Sequence, residues 1–537
     1  MQDTRPVADN TSSVINANSD GAPFSSCPTE VLSRIFELLR NDRERAGSLD
    51  WLVPCNSVSR HWRATALGHQ YLWSYLNPLA LSRGLLDVFL NRSGAAPLVV
   101  LIGAWPGAKG HVLRQAYIQI LSTQLHRVQS LVYEDTETTW QLIPAEEIAL
   151  LLRDPAPLLH VLSLPGSKRS KQLFKEASAL GVFLSNCAQN VQDVVFRQFP
   201  SQCFPWRSPP TSIRSLVLSV DSSVENTSPL TLVATLASLR LMPTLESLSL
   251  SGFASKAFAQ RSPPIANSEH VHLPRLQVLR LTGNSDQYAL MWKCITMHPL
   301  CSVQLEIVHI QDYPATLRSA LVRHLAQSDT STLTEMVVKK NAATMLAFSL
   351  YPPGQPPNEV ETSKFTHPSV DIFVAWEKPL VMAPHLPAVQ VMLATPITTI
   401  ERLTLDAFDV SRVDPEHMAD IAPLARSVEV LTLRSFRSPM LSAAFLGIGG
   451  VFTSSRSISG LPFPRLREVA LARCEFDLDV AAPAVRDALT RRALAGAQLE
   501  KISFVSCGLE PGRSEELEKE LVQSGLVECV VCEGDEE

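Results

Sequence analysis

The residues whose types could do chemistry are few. Cys529-Val530-Val531-Cys532 has the two-residue gap of a metal or redox pair, but no second Cys/His pair lies nearby and the run around it is apolar and strand-like. These two cysteines therefore read as structural. Lys168-Arg169-Ser170-Lys171 has the composition of a nuclear signal or an anion patch, and a solvated loop following Gly166 explains it equally well. Arg207-Ser208-Pro209-Pro210 recurs as Arg261-Ser262-Pro263-Pro264, each ahead of a strand-like run. A proline-directed kinase could add charge there, and ordinary turn chemistry also accounts for both. The chain has no Gly-rich phosphate loop, no His-Glu-x-x-His zinc helix and no nucleophile elbow. No catalytic, cofactor-binding or metal-ligating residue is expected, and the chain reads as non-catalytic.

Composition narrows the class further. Over 537 residues, 45% are hydrophobic and 19% charged, which supplies a core and too little charge for a disordered chain. That length exceeds one ordinary core, so several domains or an extended repeat array are expected. A net charge of -6 argues against a polyanion-binding role, and hence against a nucleic-acid partner. The ten cysteines are too scattered for a disulfide scaffold and read as reduced, mostly small core residues. The start of the chain is polar, without the charged and apolar stretches of a secretory signal, and no apolar run is long enough for a membrane span. A cytoplasmic or nuclear location follows as an expectation. The Asn-x-Ser/Thr triplets at Asn10, Asn91 and Asn226 would matter only in a secreted chain.

Residues 1–22 hold many turn formers and few large apolar residues, and read as a disordered tail. From 23 to 78 the pattern is helical. Thr29 is placed to cap a first helix that carries Val31, Leu32, Ile35, Phe36, Leu38 and Leu39 on a broad apolar face. A charged segment, Arg40 to Gly47, breaks that pattern. A second helical segment runs from about Asn56 to Gly68 with Val58, Trp62, Ala66 and Leu67, and a short last one holds Tyr71, Leu72, Trp73 and Leu76.

Residues 79–532 carry a recurring strand-like run with apolar residues at relative positions one, four and six. Instances begin at Val128, Leu159, Val191, Ile213, Leu245 and Leu276, and continue at Leu305, Leu333, Ile400, Val428, Leu466 and Leu499. Most spacings are about 28 to 33 residues, near the long end for leucine-rich repeats. The stretch from Leu333 to Ile400 is long enough to hide one degenerate repeat or a large insertion. Positions four and six point to one side of a strand, into a core shared with the next repeat. Between the strands lie helical segments at Ala145 to Leu152, Ser228 to Leu241, Ala315 to Ala326 and Val480 to Leu494. Pro352, Pro353, Pro356 and Pro357 make Tyr351 to Pro357 an exposed loop, a helix from about Ser514 to Ser524 reads as an end cap, and residues 533–537 form an acidic tail.

The segment Cys27-Pro28-Thr29-Glu30-Val31-Leu32-Ser33-Arg34-Ile35-Phe36-Glu37-Leu38-Leu39, then Val58-Ser59-Arg60-His61-Trp62-Arg63, then Leu72-Trp73, resembles the F-box in order and spacing. It covers about a tenth of the chain, and departs from the usual pattern at Cys27 and in the longer charged hinge around Asn41 to Gly47. The repeat region, with the run Pro97-Leu98-Val99-Val100-Leu101, more loosely resembles the leucine-rich-repeat half of F-box proteins common in fungi. The resemblance implies an α/β chain in which a small three-helix F-box bundle precedes an irregular leucine-rich-repeat-like solenoid of alternating strands and helices. It implies docking to the Skp adaptor, and through it to a cullin, with Pro28, Leu32, Ile35, Phe36, Leu39, Val58, Trp62 and Trp73 supplying adaptor contact and bundle core. The repeats would then bind a protein substrate for an SCF-type ubiquitin ligase and ubiquitin-dependent degradation. The alternative is a ligase-independent F-box scaffold or assembly protein.

Overall fold

A computed structural model describes residues 27–41, 52–77, 83–102, 110–133, 148, 150–165, 173–199, 203–220, 232–252, 270–298, 301–308, 320, 323–324, 335–342, 345–351, 370–375, 400–406, 427–434, 463–474, 478–507 and 511–533. The chain is mixed α/β with parallel sheets. It divides into two compact units, Met1–Gln198 with Gln202–Pro205, and Phe199–Ser201 with Trp206–Glu537. The N-terminal tail, the Lys168 to Lys171 cluster, the second Arg-Ser-Pro-Pro motif, the proline loop after Tyr351, most of the Ala315 to Ala326 helix and the acidic end after Glu533 lie outside the described residues.

In the first unit, α1 (Thr29–Asn41), α2 (Leu52–Ser57), α3 (Arg60–Gly68) and a 3-10 turn (Gln70–Trp73) lead into β1 (Tyr75–Leu76). The amide of Leu32 donates to the Pro28 carbonyl at 3.0 Å, so α1 starts one residue earlier than expected. Pro28 holds the cap position and Thr29 is already helical. The segment expected as one helix from Asn56 is broken at Ser59. Its extended backbone (φ -154°, ψ 167°) ends α2, and its hydroxyl accepts from the Trp62 amide to cap α3.

Then follow α4 (Arg83–Ser93), β2 (Leu98–Ile102), α5 (Gly110–Gln124), β3 (Val128–Tyr133), β4 (Val161–Pro165), α6 (Leu173–Asn186) and β5 (Asp193–Arg197). The five strands pair in parallel in chain order, with Leu76, Val100, Leu131, Leu162 and Val194 in one register row. All five are buried. Each parallel pair needs a long crossover, and α4, α5 and α6 lie in three of them.

The second unit contains β6 (Ser215–Ser219), α7 (Leu232–Arg240), β7 (Ser247–Ser251), β8 (Val271–Leu273), β9 (Val278–Asn284), α8 (Ser285–Cys294), β10 (Ile295–Met297) and β11 (Ser302–Val308). It continues through β12 (Glu335–Ala342), β13 (Met345–Tyr351), β14 (Val370–Ala375), β15 (Arg402–Asp406), β16 (Val430–Arg434), β17 (Glu468–Ala472), α9 (Leu478–Leu494), β18 (Leu499–Val505), α10 (Pro511–Gln523) and β19 (Val527–Glu533). One parallel run is β6, β7, β9 and β11, and another is β15 to β19. In the second run Leu403, Leu431, Val469 and Ile502, the fourth positions of their motifs, form a row that Val530 of β19 continues.

One sequence expectation shifts, and one open stretch gains structure. The instance begun at Leu305 is displaced, because Leu305 pairs with Leu281 and so occupies position six. The run Leu305 to Val308 mimics the one-to-four spacing, but the buried alternation is Val303 and Leu305. In the long gap after Leu333 the chain doubles back. β12 pairs antiparallel with β13 and β13 with β14, while β14 runs parallel beside β11 and β12 parallel beside β15. Among the described residues of that stretch the strands form an antiparallel meander, consistent with an insertion, that joins the two parallel runs.

Four of the strands, β5, β7, β17 and β18, end in a shared turn. Gln198, Gly252, Arg473 and Ser506, each seven residues past the first apolar position of its motif, have φ of 58°, 76°, 51° and 51°. A left-handed residue there turns the chain out of the strand. At Gly252 glycine is required sterically as well, since a Cβ would lie 2.3 Å from the Val220 carbonyl oxygen.

Candidate functional site

At about 100° per residue, Leu38, Val31, Ile35, Leu39, Leu32 and Phe36 fan over an arc of about 160° on α1. The chain covers only one edge of that arc. Leu32 and Phe36 are fully buried, and the Phe36 ring meets Trp62 of α3 edge-on at 5.4 Å. Ile35 and Leu39 are half-buried. At the other edge Val31 and Leu38 are 47% and 58% exposed, beside an exposed Pro28 at the helix start.

The rest of the module holds this helix in place. Trp62 is half-buried against Phe36, and His61 Nε2 lies 3.0 Å from the Cys27 carbonyl oxygen, tying α3 to the start of α1. At the far end Glu37 receives Arg34 at 2.9 Å and His69 at 3.0 Å. Burial acts to raise the Glu37 carboxyl, but the hydrogen bonds from Arg34 and His69 outweigh it and hold the group below its ordinary value. The Arg40 guanidinium donates to the Tyr71 carbonyl and lies over the Tyr75 ring at 5.8 Å. These contacts fix the angle of α1 through polar groups and leave its outer apolar edge uncovered.

The eight residues assigned by resemblance therefore separate. Pro28, Ile35, Leu39, Val58 and Trp62 retain exposure, with Val58 at 44% between α2 and α3. Leu32, Phe36 and Trp73 are buried inside the chain, on the bundle-core side of that twofold assignment. The Trp73 indole N–H donates to the Ala66 carbonyl at 2.9 Å, its ring meets Phe89 at 5.0 Å, and Arg92 stacks over it at 4.4 Å. Val31 and Leu38, together with Leu67 and Tyr71 at 39% and 52% exposure, were apolar helix positions without an assigned role. Mapping α1 at helical spacing separates Val31 and Leu38 from the buried pair.

The other candidate chemistry disperses. Cys529 and Cys532 sit three residues apart in β19, an odd spacing that sends their side chains to opposite faces of the strand. They cannot converge on one metal. In the first Arg-Ser-Pro-Pro motif Ser208 is exposed but Pro209 and Pro210 are buried, so packing accounts for the prolines. Among the described residues, no group of three or more His, Cys, Asp and Glu could hold a metal ion, and no helix is long and apolar enough to cross a membrane. Compared with protein-family models and with curated proteins, the sequence finds no match.

Proposed function

We propose that this chain is the F-box substrate-receptor subunit of an SCF-type cullin-RING ubiquitin ligase. Its N-terminal helices form a three-helix F-box bundle that binds the Skp adaptor, and its later strands and helices form a leucine-rich-repeat-like solenoid that binds a protein substrate. The observation that carries this reading is the arc on α1, apolar over more of its circumference than the chain covers, with Val31 and Leu38 left in water. A module this small buries little of its own surface and gains by burying more in a partner. The half-buried Trp62 fits the composition of interface cores, where tryptophan is a common anchor. The register rows of the parallel strands support the repeat half of the reading, since stacked repeats leave an exposed face for recognition. Bond making belongs to the ligase partners.

Co-purification tests this. Wild-type chain recovers the Skp adaptor and a cullin, and Pro28→Ala combined with Ile35→Ala loses both. Undiminished adaptor recovery by a folded double variant sinks the docking proposal. Recovery of adaptor without cullin, where a control receptor brings both, replaces it with the ligase-independent scaffold.

A further inference from the structure

Cys474 and Cys507 are placed together by the repeat itself. Ala472 and Val505 are register partners on the parallel strands β17 and β18, and each cysteine follows two residues later. The intervening residues, Arg473 and Ser506, share the same left-handed φ of 51°, so the two turns have one shape and deliver both thiols to equivalent positions. The Arg473 amide also donates to the Val505 carbonyl at 2.8 Å, continuing the pairing into the turn. Neighbouring strands lie about 4.8 Å apart. That spacing falls inside the Cα separation of about 4.4 to 6.8 Å that a disulfide spans.

The thiols are oriented alike. Cys507 Sγ lies 3.0 Å from the Leu471 carbonyl oxygen and Cys474 Sγ 3.5 Å from the Leu433 carbonyl oxygen, so each reaches back to position six of the preceding motif. Both residues are reduced and buried, with Cys507 keeping 7% of its surface in solvent.

We propose that Cys474 and Cys507 are a peroxide-responsive thiol pair, closing to a disulfide that ties the end of β17 to the end of β18. Cys507 is the nucleophile. The hydrogen bond from the Cys474 side chain, aided by backbone groups of Cys474, Val505 and Arg473, outweighs burial and lowers the Cys507 thiol to about 7. By contrast, burial raises Cys55 to about 11 and Cys301 to about 12, and also raises Cys203. Burial, Glu518 and Cys507 together raise Cys532.

In the first step the Cys507 thiolate attacks one oxygen of a hydroperoxide. An S–O bond forms, the O–O bond breaks, and the departing oxygen takes a proton to leave as water or alcohol. In the second the Cys474 sulfur, losing its proton, attacks the sulfenic sulfur. An S–S bond forms, the S–O bond breaks, and the hydroxyl leaves as water. The thiol pair loses two electrons and the peroxide gains them.

The test is hydrogen peroxide titration of the full chain, followed by alkylation in denaturant and peptide mapping without reductant. The expected product is one cross-linked peptide pair joining Cys474 to Cys507, two hydrogens lighter than its parts, formed faster as pH rises through about 7. In Cys474→Ser the sulfenic acid persists on Cys507 and is captured by dimedone, while in Cys507→Ser residue 474 stays alkylatable. The proposal is overturned if wild-type Cys474 and Cys507 both remain alkylatable at a dose that oxidises the exposed Cys529, or if Cys507 pairs with Cys532 instead.

Discussion

Replacing Val31 and Leu38 together with alanine separates the face α1 offers outward from the face it needs to fold. The substitutions delete five side-chain carbons, each worth about 0.8 kcal/mol when fully buried. Roughly half of that area is open in the free chain, Val31 being 47% and Leu38 58% exposed. Burial against a partner over the open half is thus worth about 2 kcal/mol, or ~30-fold in affinity. The half already buried in the chain is worth a similar ~2 kcal/mol to folding, offset by under about 1 kcal/mol from alanine's higher helix propensity, so stability should fall by only about 1 kcal/mol. Phe36→Ala is the opposite case. That ring is fully buried against Trp62, and its loss should cost about 3 to 5 kcal/mol of stability. Denaturant titration of all three chains, paired with calorimetric binding to a purified Skp-type adaptor, reads both quantities. If Val31→Ala/Leu38→Ala folds as wild type and binds with unchanged affinity, the outer arc is not the docking face. If it unfolds as readily as Phe36→Ala, the separation of the two faces is wrong.

Acid should weaken the second unit through His324, which is buried beside Trp292 with ring centroids 5.7 Å apart. Burial lowers it from 6.5 to about 4, against a backbone hydrogen bond involving Cys301 that acts to raise it. The unfolded chain therefore binds a proton in that window that the folded chain resists, so stability is full above pH 6.5 and falls on acidification towards pH 4. The loss should reach about 3 kcal/mol; urea midpoints against pH should flatten over that window in His324→Phe, and an unchanged slope would refute the assignment. Gly252→Ala and Gly496→Ala form a second pair. Both sites have positive φ, 76° and 72°, but a Cβ at Gly252 meets the Val220 carbonyl oxygen at 2.3 Å, whereas none lies within 4 Å at Gly496. Thermal melts should show a loss of about 1 kcal/mol at 496 and a clearly larger one at 252, and equal losses would mean that the backbone contact is unimportant.

What the sequence revealed depends on how far each signal reaches along the chain. The one-four-six spacing is local, and Leu131, Leu162 and Val194 fall into one register row as that spacing requires. One repeat instance is misplaced where a local pattern had two solutions. Val303 and Val308 both complete an apolar spacing with Leu305, and only pairing with β9 selects Val303. The reversal through β13 rests on partners far apart in the chain, Met345 with Ala375 and Glu335 with Arg402, which no periodicity in one segment displays. Ser59 shows the same limit at short range. It lies within an apparently continuous helical pattern, yet its hydroxyl caps α3 and stops α2. On α1 the periodicity revealed a broad apolar face but not how much of it the other helices cover, because burial depends on where α3 lies.

Trp73, which the F-box resemblance gives to adaptor contact and bundle core, bears on the proposed docking through its place in the core. Its indole N–H is bound to Ala66 of α3, and its ring lies between Phe89 and Arg92 of α4. Two residues later, Tyr75 and Leu76 pair with Val99 and Val100 and begin the parallel sheet of the first unit. The helical module is therefore joined to the first strands by a buried aromatic contact and backbone pairing rather than by a free linker. Within this unit, an adaptor bound on α1 would hold β1 to β5 in a set orientation, and whatever those strands present would be aimed by the same contact. A flexible linker would give a tethered substrate many orientations relative to the ligase; a joint built on Trp73 restricts them. Under the proposed function, Trp73 thus acts through its core role, by fixing the angle between the docked helices and the strands that follow.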